Sequence, residues 1–84
     1  MKLIATAGNT VAPALLVLER LGFVVSIERV GERETFRAVR GDETYIGEDP
    51  VAVLGLVKLI EMRTWNWHPE DSEIGAVLRK YELD

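Results

Sequence analysis

No cysteine occurs in the chain, so neither a disulfide framework nor a thiolate metal cluster can staple its core. A single histidine rules out the paired-histidine spacing of a zincin-type site. Long apolar runs are missing as well. The longest purely apolar or glycine stretch is Val51–Val57, far short of a membrane span. Lys2, Leu3 and Ile4 begin like a signal peptide, but Gly8, Asn9 and Thr10 break the apolar run and the charges of Glu19 and Arg20 follow too soon. A cytoplasmic protein is the expectation. Basic charge is scarce too: 10 Lys and Arg face 14 Asp and Glu, a net charge of −4, which argues against a nucleic-acid binder that must displace counterions.

What remains is a globular composition, 48% hydrophobic and 29% charged, which excludes a disordered chain. Residues 1–84 leave room for one domain, with a stability of about 4–13 kcal/mol at this length. A small core without staples must pack well or be completed by a second copy.

Helical and strand periodicities alternate clearly. KLIATA (2–7) is short and uncharged after Lys2, and reads as a buried strand. Asn9 or Thr10 then caps a helix in which Val11, Ala14, Leu15, Leu18 and Leu21 recur at helical spacing. FVVSIERV (23–30) and TFRAVR (35–40) read as an antiparallel pair turning at Gly31, with Phe23, Val25 and Ile27 level with Phe36 and Ala38. Gly41-Asp42 turns into a further strand, TYIG (44–47), whose inward residue, Tyr45 or Ile46, depends on the turn's length.

Asp49-Pro50 is the strongest local signal, a carboxylate cap followed by proline at the first helical position. The helix it opens, VAVLGLVKLIEMR (51–63), is apolar nearly all round in its first two turns and therefore expects cover on more than one side. The last helix, within PEDSEIGAVLRKYEL, carries Ile74, Val77, Leu78 and Tyr81 on one stripe, with acids early and Arg79-Lys80 late, as the helix dipole prefers. The order β-α-β-β-β-α-α predicts an α+β fold of two layers. It comprises a four-stranded mixed sheet, its first strand parallel to the second by a right-handed crossover, with helices mainly on one face.

Chemistry is harder to find. RTWNWHPED (63–71) gathers Trp65, Trp67 and His68, but two tryptophans two residues apart point in opposite directions and suit a joint between helices. An exposed Trp beside His68 is the alternative, an anchor for a partner. As a catalytic base His68 lacks a nucleophile elbow around Ser26 or Ser72, although acid–base chemistry with Glu70 or Asp71 is a conceivable third reading. As a metal ligand it would need Glu70, Asp71 or Glu73, which the start of the helix explains more simply. Thus no catalytic residue, metal site or cofactor is expected.

TAGNT (6–10) is a strand-to-helix turn in which Gly8, Asn9 and Thr10 can present free N–H groups to a small anion, with Arg37 or Arg40 nearby. It lacks the P-loop lysine and the three-glycine dinucleotide spacing. The sheet's second face carries Val24, Val30 and Val39 with Arg37, a mild apolar excess suited to association. Arg29, Arg33, Arg37 and Arg40 interleave with acids, which favours cross-strand ion pairs over phosphate binding. The functional expectation is a small non-enzymatic protein-interaction module. It associates with itself as a homo-oligomer, or serves as an acidic inhibitor or immunity-like partner of a larger protein, with no role at nucleic acid or membrane. The alternative is a small-anion-binding domain using the turn 6–10.

Overall fold

The computed structural model describes residues 1–83. Its elements are α1 (Val11–Arg20), entered through a single 3-10 turn at Gly8–Thr10, then β1 (Val24–Val30), β2 (Arg33–Arg40), β3 (Glu43–Gly47), α2 (Pro50–Arg63) and α3 (Asp71–Tyr81). The α+β class holds, but the sheet does not match the four-stranded mixed sheet expected from the sequence. It has three strands, all antiparallel, in the order β1-β2-β3. The missing strand is KLIATA. Residues 1–6 join no ladder and are exposed throughout. They lie instead beside the helices, where Leu3 and Ile4 share a groove with Pro13 and Val17 of α1 and Leu54 of α2. The physical reason lies at the segment's end: Thr6, Ala7 and Gly8 border a cavity with Asp49 and Val51, so the chain enters α1 beside the start of α2 rather than along a sheet edge. Apolar, uncharged composition makes a segment strand-competent without choosing an edge for it.

The meander itself follows from turn chemistry. Gly31 and Gly41 stand first in two-residue turns at φ +64° and +59°, the sign a type II′ hairpin turn demands at that position. These turns set Ile27 opposite Phe36 and Val25 opposite Ala38, which in turn faces Tyr45. One face therefore carries Val25, Ile27, Phe36, Ala38 and Tyr45, and Ile46 falls on the other.

Helices α1 and α2 pack side by side on the first face, α1 over β1 and α2 over β2 and β3. The core is Leu18, Phe23, Phe36, Ala38, Tyr45, Val53 and Val57, ringed by half-buried Leu15, Val25, Leu54, Leu56 and Ile60. Asp49 caps α2 as its sequence promised, accepting from the Ala52 N–H at 2.8 Å, with Pro50 buried behind it. The layer is short of cover at its far end, where Ile27 sits on the helix-facing side yet remains 44% exposed.

Helix α3 adds nothing to this core, and none of its residues is buried. The cover that the apolar α2 expects, from the last helix or from another subunit, therefore does not come from α3. Joining the two helices is Thr64, whose φ of 61° and ψ of −171° fall in a region almost reserved for glycine.

Candidate interaction surface

The joint of residues 64–70 is braced rather than loose. Arg63 donates from Nε to the Trp67 carbonyl at 3.0 Å and reaches Glu73 from Nη2 at 3.3 Å. Glu73 also accepts from the Glu70 backbone N–H at 2.9 Å, which, followed by the nearby Arg63 charge, holds its carboxyl below the ordinary range. Trp65 stacks on Tyr45 with ring centroids 5.9 Å apart, while Trp67 lies against the His68 ring at 3.9 Å. The two indoles thus go to different neighbours, and neither is buried: Trp65 is 58% and Trp67 37% exposed.

Beneath Trp65 sits the densest polar cluster of the fold. Tyr45 donates to Glu43 Oε1 at 2.8 Å, and Arg40 donates from Nε to Glu43 Oε2 at 3.1 Å. Arg40 also donates to the Leu21 carbonyl at 2.9 Å and lies 4.3 Å from the centre of the Phe23 ring. The Tyr45 hydrogen bond, ahead of Arg40, lowers the Glu43 pKa, whereas burial first, and Glu43 second, raise that of Tyr45. Every polar group in this cluster is occupied by another, so it clamps β2, β3 and the end of α1 rather than offering a reactive atom.

The open sheet face brings Val24 and Val39 opposite each other, with Arg37 facing Ser26 on one side and Ile46 on the other. Arg37 pairs with Glu28 at 3.7 Å and Arg33 with Glu48 at 3.8 Å, while Arg29 and Glu34 pair at 3.7 Å on the helix-facing side. Val24 and Val30 are about three-quarters exposed, at 74% and 76%. The residues singled out for interaction therefore form two separate sets. Trp65, Trp67 and His68 belong to the joint, with Trp65 on the helix side at Tyr45, whereas Val24, Val30, Arg37 and Val39 lie on the opposite face.

At the turn 6–10, the Thr10 hydroxyl donates to the Ala7 carbonyl at 2.6 Å, and the adjoining cavity of about 350 Å³ is lined by one charged side chain, the Asp49 carboxylate. No basic residue lines it; Arg40 is engaged by Glu43 and Arg37 by Glu28. Among the described residues no group of three His, Asp or Glu side chains is placed to hold a metal, and no helix is long and apolar enough to cross a membrane.

The chain matches no protein-family model, no curated protein and no solved structure.

Two surfaces escaped the sequence reading. The first is an apolar groove of about 570 Å³ whose walls include Leu3, Ile4, Pro13, Val17, Val51 and Leu54, with no charged side chain among its lining residues. The second is the α3 stripe, where Ile74, Val77 and Tyr81 are 40%, 49% and 59% exposed. The stripe was visible as periodicity, but the surface it meets was left open between α2 and another subunit. Assigning KLIATA to the sheet hid the groove altogether.

Proposed function

We propose that the chain is a non-enzymatic association module that works by burying its own apolar surface against another protein surface. One observation carries this reading: the accessible area is 7007 Å², whereas a compact monomer of 9.4 kDa exposes about 5,000 Å². The Cα radius of gyration, 15.3 Å, speaks in the same direction, since a compact domain of 84 residues has about 12 Å. Large apolar side chains stand in the open, among them Leu3, Ile4, Leu16, Val24 and Val30, each more than 60% exposed. The groove beside α1 and α2 gathers some of them, and apolar surface gathered in one place marks an interaction site.

Acidity is the weaker basis for recognition. Six glutamates, Glu28, Glu34, Glu43, Glu48, Glu61 and Glu73, are already engaged in ion pairs with the chain's own cations. The remaining acids leave a net charge of −4, a modest bias beside the exposed apolar surface.

Small-angle scattering with light scattering, from micromolar to millimolar protein, tests the reading. The expected result is either an assembly or an open monomer of radius near 15 Å that binds a hydrophobic dye. A closed monomer near 12 Å that binds no dye would refute it.

A further inference from the structure

We infer that the surface completing this chain is a second copy of itself, and that α3 of each copy docks in the groove between the N-terminal segment, α1 and α2 of the other. The inference rests on the association reading above and names its partner. Three observations converge on it.

The first is chemical fit. Ile74, Val77, Leu78 and Tyr81 recur at i, i+3, i+4 and i+7, the anchor pattern of a helix that lies in a groove. The groove lining is uncharged and largely apolar. The charges of α3, Asp71 and Glu73 in its first turn and Arg79 and Lys80 in its last, flank the stripe at its ends, where a docked helix keeps them in water.

The second is what prevents α3 from filling the groove of its own chain. The groove meets α2 at Val51 and Leu54, whereas α3 leaves from the other end, beyond Arg63, about 14 Å further along the helix axis. The connecting residues are pinned there by Arg63 on the Trp67 carbonyl and on Glu73, and by Trp65 on Tyr45. A braced joint projects the helix outward and holds its stripe open.

The third is area. The excess over a compact monomer, about 2,000 Å² per chain, sets a ceiling of about 4,000 Å² on what two copies can remove, part of it, at Val24 and Val30, lying on the open sheet face. A standard interface of about 1,600 Å² fits well within that ceiling. Reciprocal exchange also closes on itself: each copy gives one helix and receives one, which a two-fold axis satisfies without leaving a free end.

The test exploits the absence of cysteine in the chain. Val17→Cys, in the groove, and Val77→Cys, on the stripe, are prepared as separate chains; both positions are nearly half exposed, at 45% and 49%, so neither change disturbs the core. Mixed at equal concentration and treated with a short bismaleimide, the two variants are expected to give a covalent pair linking residue 17 of one chain to residue 77 of the other. Val77→Asp, with an unchanged circular dichroism spectrum, is expected to weaken the dimer about a hundredfold or more, because it buries an unpaired charge. A dimer by light scattering that forms no 17–77 link would overturn the exchange of α3 while leaving the association reading standing. An open monomer at every concentration overturns the second copy as partner, again leaving association with a different protein. A closed monomer whose 17–77 link forms within one doubly substituted chain overturns both.

Discussion

Replacing Leu18 by Ala measures whether α1 is held by the face assigned to it. Leu18 is fully buried at 0% exposure, inside the cluster with Phe23, Phe36, Tyr45 and Val53. Truncating it removes the transfer energy of its side chain and leaves a cavity, together about 3 kcal/mol or more. The entropy of unfolding is about 2.1 cal/mol/K per residue, hence about 0.18 kcal/mol/K for 84 residues, so the midpoint should fall by about 17 °C. At the low end of a total of about 4–13 kcal/mol, such a loss comes close to unfolding the chain at room temperature. Leu16 supplies the control. It stands two residues away on the same helix but is 65% exposed, and its truncation should stay within about 0.5 kcal/mol. Both variants are followed by thermal and urea unfolding at one fixed protein concentration, since the proposed association would make the midpoint concentration-dependent. A Leu18→Ala loss below about 1 kcal/mol, or equal losses at the two positions, would refute the packing of α1 described above.

Three further outcomes follow from single contacts. Asp49→Ala removes the acceptor of the Ala52 N–H and should cost about 1 kcal/mol in urea unfolding, with Asp49→Asn recovering most of it. Gly47→Ala brings a Cβ to 3.0 Å from Val53 Cγ2 and 3.3 Å from the Val53 backbone nitrogen, and should lose about 1–3 kcal/mol, whereas at Gly55 a Cβ meets nothing within 4 Å. Gly55→Ala, in the interior of α2, should therefore gain about 0.5–1 kcal/mol, and the opposite signs of the two are readable in one denaturation series. Because the folded pKa of Glu43 is depressed, chiefly by the Tyr45 hydroxyl, its contribution is present above the ordinary value of 4.5 and is lost as pH falls through the folded value. Glu43→Gln should flatten part of the acid limb of stability measured between pH 7 and 3, leaving the part due to Glu73.

The meander was legible in the residues because each of its signals is local. Gly31 and Gly41 mark the turns, and period-two alternation fixed by parity the face that Phe36 shares with Val25 and Ile27, while the two-residue turn at Gly31 sets it opposite Ile27. The Asp49-Pro50 start of α2 was equally plain, being a cap and a pre-set φ in adjacent residues. KLIATA was misassigned because its apolar composition describes a burial preference, and several surfaces can satisfy one: a sheet edge, a helix groove or a second chain. Whether Tyr45 or Ile46 faced inward waited on a turn length, and the two-residue turn gave the place to Tyr45. The exposed apolar surface was only half readable. Helical spacing displayed Ile74, Val77, Leu78 and Tyr81 as a stripe, but no local pattern says which distant surface such a stripe meets.

Thr64 gives the last helix its heading through one dihedral pair. A β-branched residue held at φ 61° and ψ −171° stores roughly 1–3 kcal/mol that its neighbours must restrain. The tension makes the joint a natural pivot: a turn of that one torsion to an ordinary extended value would re-aim all eleven residues of Asp71–Tyr81 at once. A single substitution at the pivot can thus redirect the last helix, with the hairpins and the hydrophobic centre left untouched.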